Sequence, residues 1–100
     1  MVSVKGLKEG VMFDLDKVSL TSINPYHSEY NGTISVRWRH VFFSESGEKI
    51  VYTGSKRIAQ HDRWYHLRAK IKRQEPQYNS TRICRPVLTP CDERQKVLDV

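Results

Sequence analysis

Trp64-Tyr-His-Leu-Arg-Ala-Lys-Ile-Lys72 alternates without a break. Tyr65, Leu67, Ala69 and Ile71 fall on one side, and Trp64, His66, Arg68, Lys70 and Lys72 on the other. Strand side chains point to opposite faces with a period of two, so the stretch is expected to be a half-buried β-strand. One face can pack on a core. The other is a row of cations opening on an indole. A polyanion-binding face needs one sign of charge, and rings on which bases stack help. Lysines that keep a solvated edge from aggregating would give the same pattern, so the rest of the chain has to separate the two.

Working outward, 100 residues suit one small domain. The chain has 17 Lys+Arg against 11 Asp+Glu, a net charge of +6. Residues 1–54 balance, with six bases and six acids. Residues 55–86 hold nine bases (Lys56, Arg57, Arg63, Arg68, Lys70, Lys72, Arg73, Arg82, Arg85) and only Asp62 and Glu75 as acids. Such asymmetry points to a nucleic acid or an acidic protein surface. Met1-Val-Ser-Val-Lys5 lacks the apolar run of a signal peptide, and no stretch is long enough to span a bilayer. Two cysteines, Cys84 and Cys91, are too few for a disulfide scaffold, so a reducing, cytoplasmic setting is expected.

Residues 1–10 read as an N-terminal arm with little structure. Val11, Phe13 and Leu15 begin a strand whose apolar phase slips to Val18 and Leu20, which predicts a β-bulge near Asp16–Lys17. Thr21–Gly32, with Pro25, Asn31 and Gly32, reads as a long loop carrying Tyr26, His27 and Tyr30. Thr33–Phe43 is a second strand with Arg37 and Arg39 on one face and Ile34, Val36 and Trp38 on the other. Ser44–Glu48 is a hairpin turn with Gly47 at its tip, and Lys49–Thr53 a short third strand. Ser55 can cap a helix of about two turns running to Arg63, with Ile58 and Ala59 on its buried side, although the capping box is incomplete. Trp64–Lys72 is strand four, Gln74–Ser80 a turn broken by Pro76, and Thr81–Leu88 strand five. Residues 89–100 read as a C-terminal tail. The expected fold is therefore all-β: a five-stranded OB-like Greek-key barrel over residues 11–88, with a short helix between strands three and four. An SH3-like barrel is the rival and does not expect that helix.

Trp64, the alternating Leu67-Arg-Ala-Lys-Ile-Lys72, the turn at Tyr78-Asn79 and Thr81-Arg-Ile-Cys-Arg-Pro86 carry a family resemblance. Over this quarter of the chain the sequence resembles the last hairpin of small OB-fold single-stranded-DNA-binding proteins, in particular those of bacteriophage replication. The resemblance implies single-strand binding in DNA replication or recombination.

In an OB barrel the ligand lies across strands two and three, flanked by the loops between strands one and two and strands four and five. The candidate nucleic-acid-binding residues are accordingly Tyr26, Tyr30, Arg37, Arg39, Lys56, Arg57, Trp64, Arg68, Lys70, Lys72, Tyr78 and Arg82. Arginine and lysine neutralise phosphates, while Tyr and Trp stack bases without reading their order. Trp38, Tyr52 and Tyr65 keep step with the apolar face and are expected in the core. Simple alternation puts Arg82 and Arg85 on opposite faces of strand five. Of the candidate ligands His27, His40, His61, His66, Cys84 and Cys91, His61 and His66 have a spacing seen in zinc sites, but they fall on the expected helix and strand and need not converge, and Cys84 and Cys91 lie too far apart for the usual cysteine pair. Asp14 and Asp16 share a face but have no clear third acid, and there is no phosphate loop or nucleophile elbow. No enzyme activity, metal or cofactor is expected. The expected function is binding of single-stranded DNA with little sequence preference. The alternatives are an RNA-binding OB module, or an adaptor or inhibitor that grips an acidic protein. The expected partners are single-stranded nucleic acid, replication or recombination proteins and a second copy of the chain, with no membrane.

Overall fold

In a computed structural model, residues 4–60 and 63–91 are described. The chain is all-β. The strands are β1 (Met12–Tyr30), β2 (Thr33–Ser44), β3 (Lys49–Gly54), β4 (Trp64–Glu75) and β5 (Ser80–Pro90). They join edge to edge in the order β1-β2-β3-β5-β4, and β4 returns to β1, closing the ring. Every pairing is antiparallel except β3 with β5.

The alternation on β4 holds. Tyr65, Leu67, Ala69 and Ile71 are 5%, 0%, 0% and 1% exposed and face the interior. They meet Phe13, Leu15, Val18, Leu20 and Ile23 of β1, Phe42 of β2, Ile50 of β3 and Ile83 of β5. Burying each large aliphatic or aromatic side chain contributes about 1.5–3 kcal/mol. The phase slip in β1 is a bulge between Leu15 and Val18 in its pairing with β4, which lets both halves of the strand face inward. A second irregularity, between Leu20 and Ser22, does the same against β2.

Three expectations need correction. First, Thr21–Gly32 is not a loop. β1 runs on to Tyr30 and pairs with β2 as far as Thr33. Asn31 and Gly32 have φ of 52° and 79°. Positive φ at both central residues is what a two-residue hairpin turn that follows the strand twist requires. Beyond Ile23 the inward positions are Pro25, His27 and Glu29, all exposed. The hairpin therefore leaves the core as an arm, and the molecule measures 56 × 28 × 19 Å.

Second, residues 55–60 form no helix, and residues 61–62 of the proposed helix lie outside the described residues. Side chains of the ring take the backbone groups a helix would have used. The Ile58 N–H donates to His40 Nε2 at 3.1 Å, and the Gln60 N–H donates to the Tyr65 hydroxyl at 2.9 Å. Ala59 is buried as expected, but Ile58 is exposed. The one helical piece among the described residues is a 3₁₀ turn at Pro76–Tyr78, between β4 and β5.

Third, the start of the chain is structured from Val4 onward. Val4 is fully buried. Its N–H donates to Glu48 at 2.9 Å, and the Gln74 side-chain amide donates to the carbonyls of Val4 and Leu7 at 2.7 and 2.9 Å. The Thr81 hydroxyl donates to the Gln74 oxygen at 2.8 Å. Gln74 thus ties the leading segment to β4 and β5. Gln74→Ala is expected to cost about 1–2 kcal/mol, the penalty for leaving such carbonyls unpaired. Chemical denaturation would read that cost, and hydrogen exchange should show it concentrated at residues 4–10. At the other end, Thr89 and Pro90 belong to β5, while residues 92–100 of the expected tail lie outside the described residues.

Candidate nucleic-acid interface

On β2, Phe42 and His40 point inward, so Arg39 and Arg37 point outward. The register brings Asn24 opposite Arg39 and Tyr26 opposite Arg37. On the other side of β2, Arg39 faces Thr53 of β3. Arg82 of β5 extends the row, its Nη1 donating to the Thr53 hydroxyl at 3.3 Å. Asn24, Pro25, Tyr26, Arg39, Thr53 and Arg82 line a shallow cleft of about 290 Å³ that crosses four strands.

The charges in this cleft are unequal. Glu75 Oε2 lies 3.4 Å from Arg82 Nε and 3.4 Å from Arg73 Nε, so a carboxylate offsets Arg82. Arg37 and Arg39 have no carboxylate within ion-pair distance among the described residues. Among the described residues nothing compensates their positive charge, which faces outward beside a tyrosine. Tyr26 is 41% exposed, and Tyr30, four residues further along the same face of the arm, is 78% exposed.

The row on β4, where the alternation was read, lies elsewhere. In the ring, β1 separates β4 from β2 on one side, and β3 and β5 separate them on the other. Asp14 of β1 stands opposite Arg68, and its carboxylate lies 2.9 Å from His66 Nε2. Lys17, carried outward by the bulge, sits 4.7 Å from the centre of the Trp64 ring. Trp64 remains 43% exposed, but one face already has a cation over it. Trp64, Arg68, Lys70 and Lys72 therefore do not share a surface with Arg37 and Arg39.

The other expected site residues scatter. Arg57 lies 5.3 Å from the centre of the Trp38 ring, on the interior side of β2, and Lys56 precedes it in the segment pinned by His40. Tyr78 is 64% exposed in the 3₁₀ turn, at the opposite end of the strands from the arm. Arg85 has φ of 54° and sits in a β5 bulge, where Cys84 faces Lys70 and Val87 faces Arg68. The extra residue breaks the alternation, so the expected opposition of Arg82 and Arg85 does not follow. The structure thus brings together Tyr26, Tyr30, Arg37, Arg39 and Arg82. It adds Asn24 and Thr53, which reading the sequence missed. Asn31-Gly32 was the signal that could have found Asn24: taken as a hairpin tip, it pairs Asn24 with Arg39.

Among the described residues, no three His, Cys, Asp or Glu side chains converge as a metal site would require. Cys84 and Cys91 are not joined to each other in a disulfide, and the Cys91 thiol donates to the Asp16 carbonyl at 3.5 Å. No helix among the described residues is long and apolar enough to cross a membrane. Compared with known proteins, the chain matches no family model, no curated protein and no solved structure at significant similarity.

Proposed function

We propose that the chain is an OB-like Greek-key module that binds single-stranded nucleic acid, DNA rather than RNA, with little sequence preference. The ring order, with β3 and β5 as its one parallel pair, supports the OB-like reading. The observation that carries the function is an open tyrosine, Tyr26, in a cleft on the outer face of β2 and β3 with Arg39 lining it and Arg37 opposite Tyr26, two arginines that have no carboxylate within ion-pair distance among the described residues. OB barrels use this face, and an extended strand would cross it from the β1–β2 connection toward the β4–β5 connection. Here the first connection is replaced by the arm carrying Tyr26 and Tyr30. Arg37 and Arg39 would hold phosphates, while the tyrosines stack bases at about 1–3 kcal/mol each. Stacking tolerates any base, so sequence preference is weak. The resemblance of the β4–β5 hairpin to phage replication proteins suggests replication or recombination as the setting.

Purified protein titrated with labelled oligo-dT, duplex DNA and RNA across a salt series tests the proposal. The logarithm of affinity for oligo-dT should fall linearly with the logarithm of salt, by about 0.7 per phosphate neutralised. Oligo-dT should bind more tightly than duplex or RNA of equal length. No binding of any probe at low salt would end the proposal and leave an acidic protein as the partner.

A further inference from the structure

The arm stands clear of the ring and has two free edges. β1 pairs with β4 only as far as Ser19, and β2 pairs with β3 only from Trp38 onward. Residues 33–37 of β2, and β1 beyond Ser22, have no strand on their outer side among the described residues. An unpaired edge is a row of backbone donors and acceptors able to take another strand.

The two edges differ. Tyr30 and Thr33 close the two-residue turn, so bonded and non-bonded pairs alternate back from them. Pro25, opposite Trp38, falls at a non-bonded pair, as a residue without an N–H must. The groups on the open edge of β1 therefore belong to Ile23, Pro25, His27 and Glu29. A proline and a charge are what blunt a strand edge. On β2 the corresponding groups belong to Ile34 and Val36. Neither blocks pairing, and their side chains are 64% and 44% exposed.

We infer that this edge of β2 pairs antiparallel with the same edge of a second copy, about a two-fold axis at Ser35. In that register Ile34 lies opposite Val36 of the second copy, and Val36 opposite its Ile34. Each of these two pairs exchanges both backbone hydrogen bonds, and the four aliphatic side chains meet on one face. Arg37 falls opposite Thr33, so no like charges meet. Thr33-Ile-Ser-Val-Arg37 is self-complementary in this sense, as a two-fold interface requires. Tyr26, Arg37 and Arg39 of both copies lie on the other face, which joins two short binding surfaces into one. That consequence rests on the proposed nucleic-acid role; the pairing itself does not.

Ser35→Cys tests the axis, in a chain whose Cys84 and Cys91 are replaced by serine. Residues facing each other at a non-bonded antiparallel pair have Cα atoms about 4.5 Å apart. A disulfide spans about 4.4–6.8 Å. Under mild oxidation S35C should cross-link to a covalent dimer, while Thr33→Cys, displaced from its own copy along the strand, should cross-link many times more slowly. The parent chain should sediment as a dimer across the micromolar range. Val36→Pro, and separately Ile34→Lys with Val36→Lys, should sediment as monomers with unchanged circular dichroism. No nucleic acid is present in these measurements, so their failure would leave the binding face standing. A monomeric parent chain, or S35C cross-linking no faster than T33C, would overturn the pairing.

Discussion

Replacing Arg37 and Arg39 together by alanine should lower affinity for oligo-dT on the order of a hundredfold at low salt. Each arginine stands for a charge-assisted contact worth about 1.5 kcal/mol, and about 1.4 kcal/mol is tenfold in affinity. The same change should flatten the salt dependence by about 1.4 in the log–log slope, two phosphates at about 0.7 each. Loss of affinity without loss of slope would mean that the arginines shape the surface and do not meet the phosphates. Both side chains point away from the core, so the melting temperature should not move, and any loss of binding is then a loss of contacts. The decisive comparison is Arg68→Ala with Lys70→Ala. That pair removes the same formal charge from β4, where Asp14 lies opposite Arg68 and a cation already covers Trp64. It should change affinity by a few-fold at most, through long-range attraction that added salt screens. Tyr26→Ala should cost the stacking energy, about 1–3 kcal/mol, while Tyr26→Phe retains it. If the β4 pair proves the more damaging, the ligand runs over the other side of the ring and the cleft beside Tyr26 is not its path.

That comparison also separates what could be read in the sequence from what could not. Strand β4 was legible because its inward residues are apolar and its outward ones charged, a pattern with a period of two that nothing else produces. The bulge at Asp16–Lys17 was legible for the same reason, since the apolar phase breaks there. The arm was not. Between Asn24 and Thr33 both faces are wet, so the alternation of Tyr26, Ser28 and Tyr30 against Pro25, His27 and Glu29 has no hydrophobic contrast. Only Asn31-Gly32 marked the turn. The missing helix shows the limit of local signals in another way. Ser55 is a good cap, but His40 and Tyr65, distant in sequence, offer acceptors that hold residues 58–60 in a non-helical path. For the site, the cations were legible as a total and not as a distribution. Which of them share a face depends on ring order and on bulges in β4 and β5, and residue counting misses both.

His40→Leu should destabilise the fold by about 2–4 kcal/mol at neutral pH and should also remove a distinctive pH dependence. His40 is fully buried on β2, its ring stacked 6.3 Å from Phe42 and tilted 5.4 Å from Tyr52. Because a backbone N–H can only donate, the bond from Ile58 makes Nε2 an unprotonated acceptor. The ring proton then sits on Nδ1, facing the carbonyls of Trp38 and Tyr52 at 3.2 and 3.3 Å. Leucine fills much of the same space but leaves the Ile58 N–H buried without an acceptor, a penalty of about 1–3 kcal/mol, and the change in shape adds to it. Burial holds the His40 pKa below its ordinary 6.5, with the two carbonyl contacts opposing the shift and the Arg57 charge adding to it. The fold therefore favours the neutral ring. Its contribution is complete above pH 6.5 and declines as pH falls from there toward the depressed folded value, by up to about 1.36 kcal/mol per pH unit. Urea titrations of parent and H40L at several pH values between 5 and 8 isolate this term, because the other histidines and the carboxylates are common to both chains. The gap between the two should be widest at the alkaline end and narrow steadily in acid. A gap independent of pH would show that His40 acts as a packing residue and that its bond to Ile58 contributes little. Arg39 and Val41 beside it point the other way, so folded H40L at neutral pH should still bind oligo-dT like the parent. That outcome would place the pinned segment, with Lys56 and Arg57, outside the binding surface.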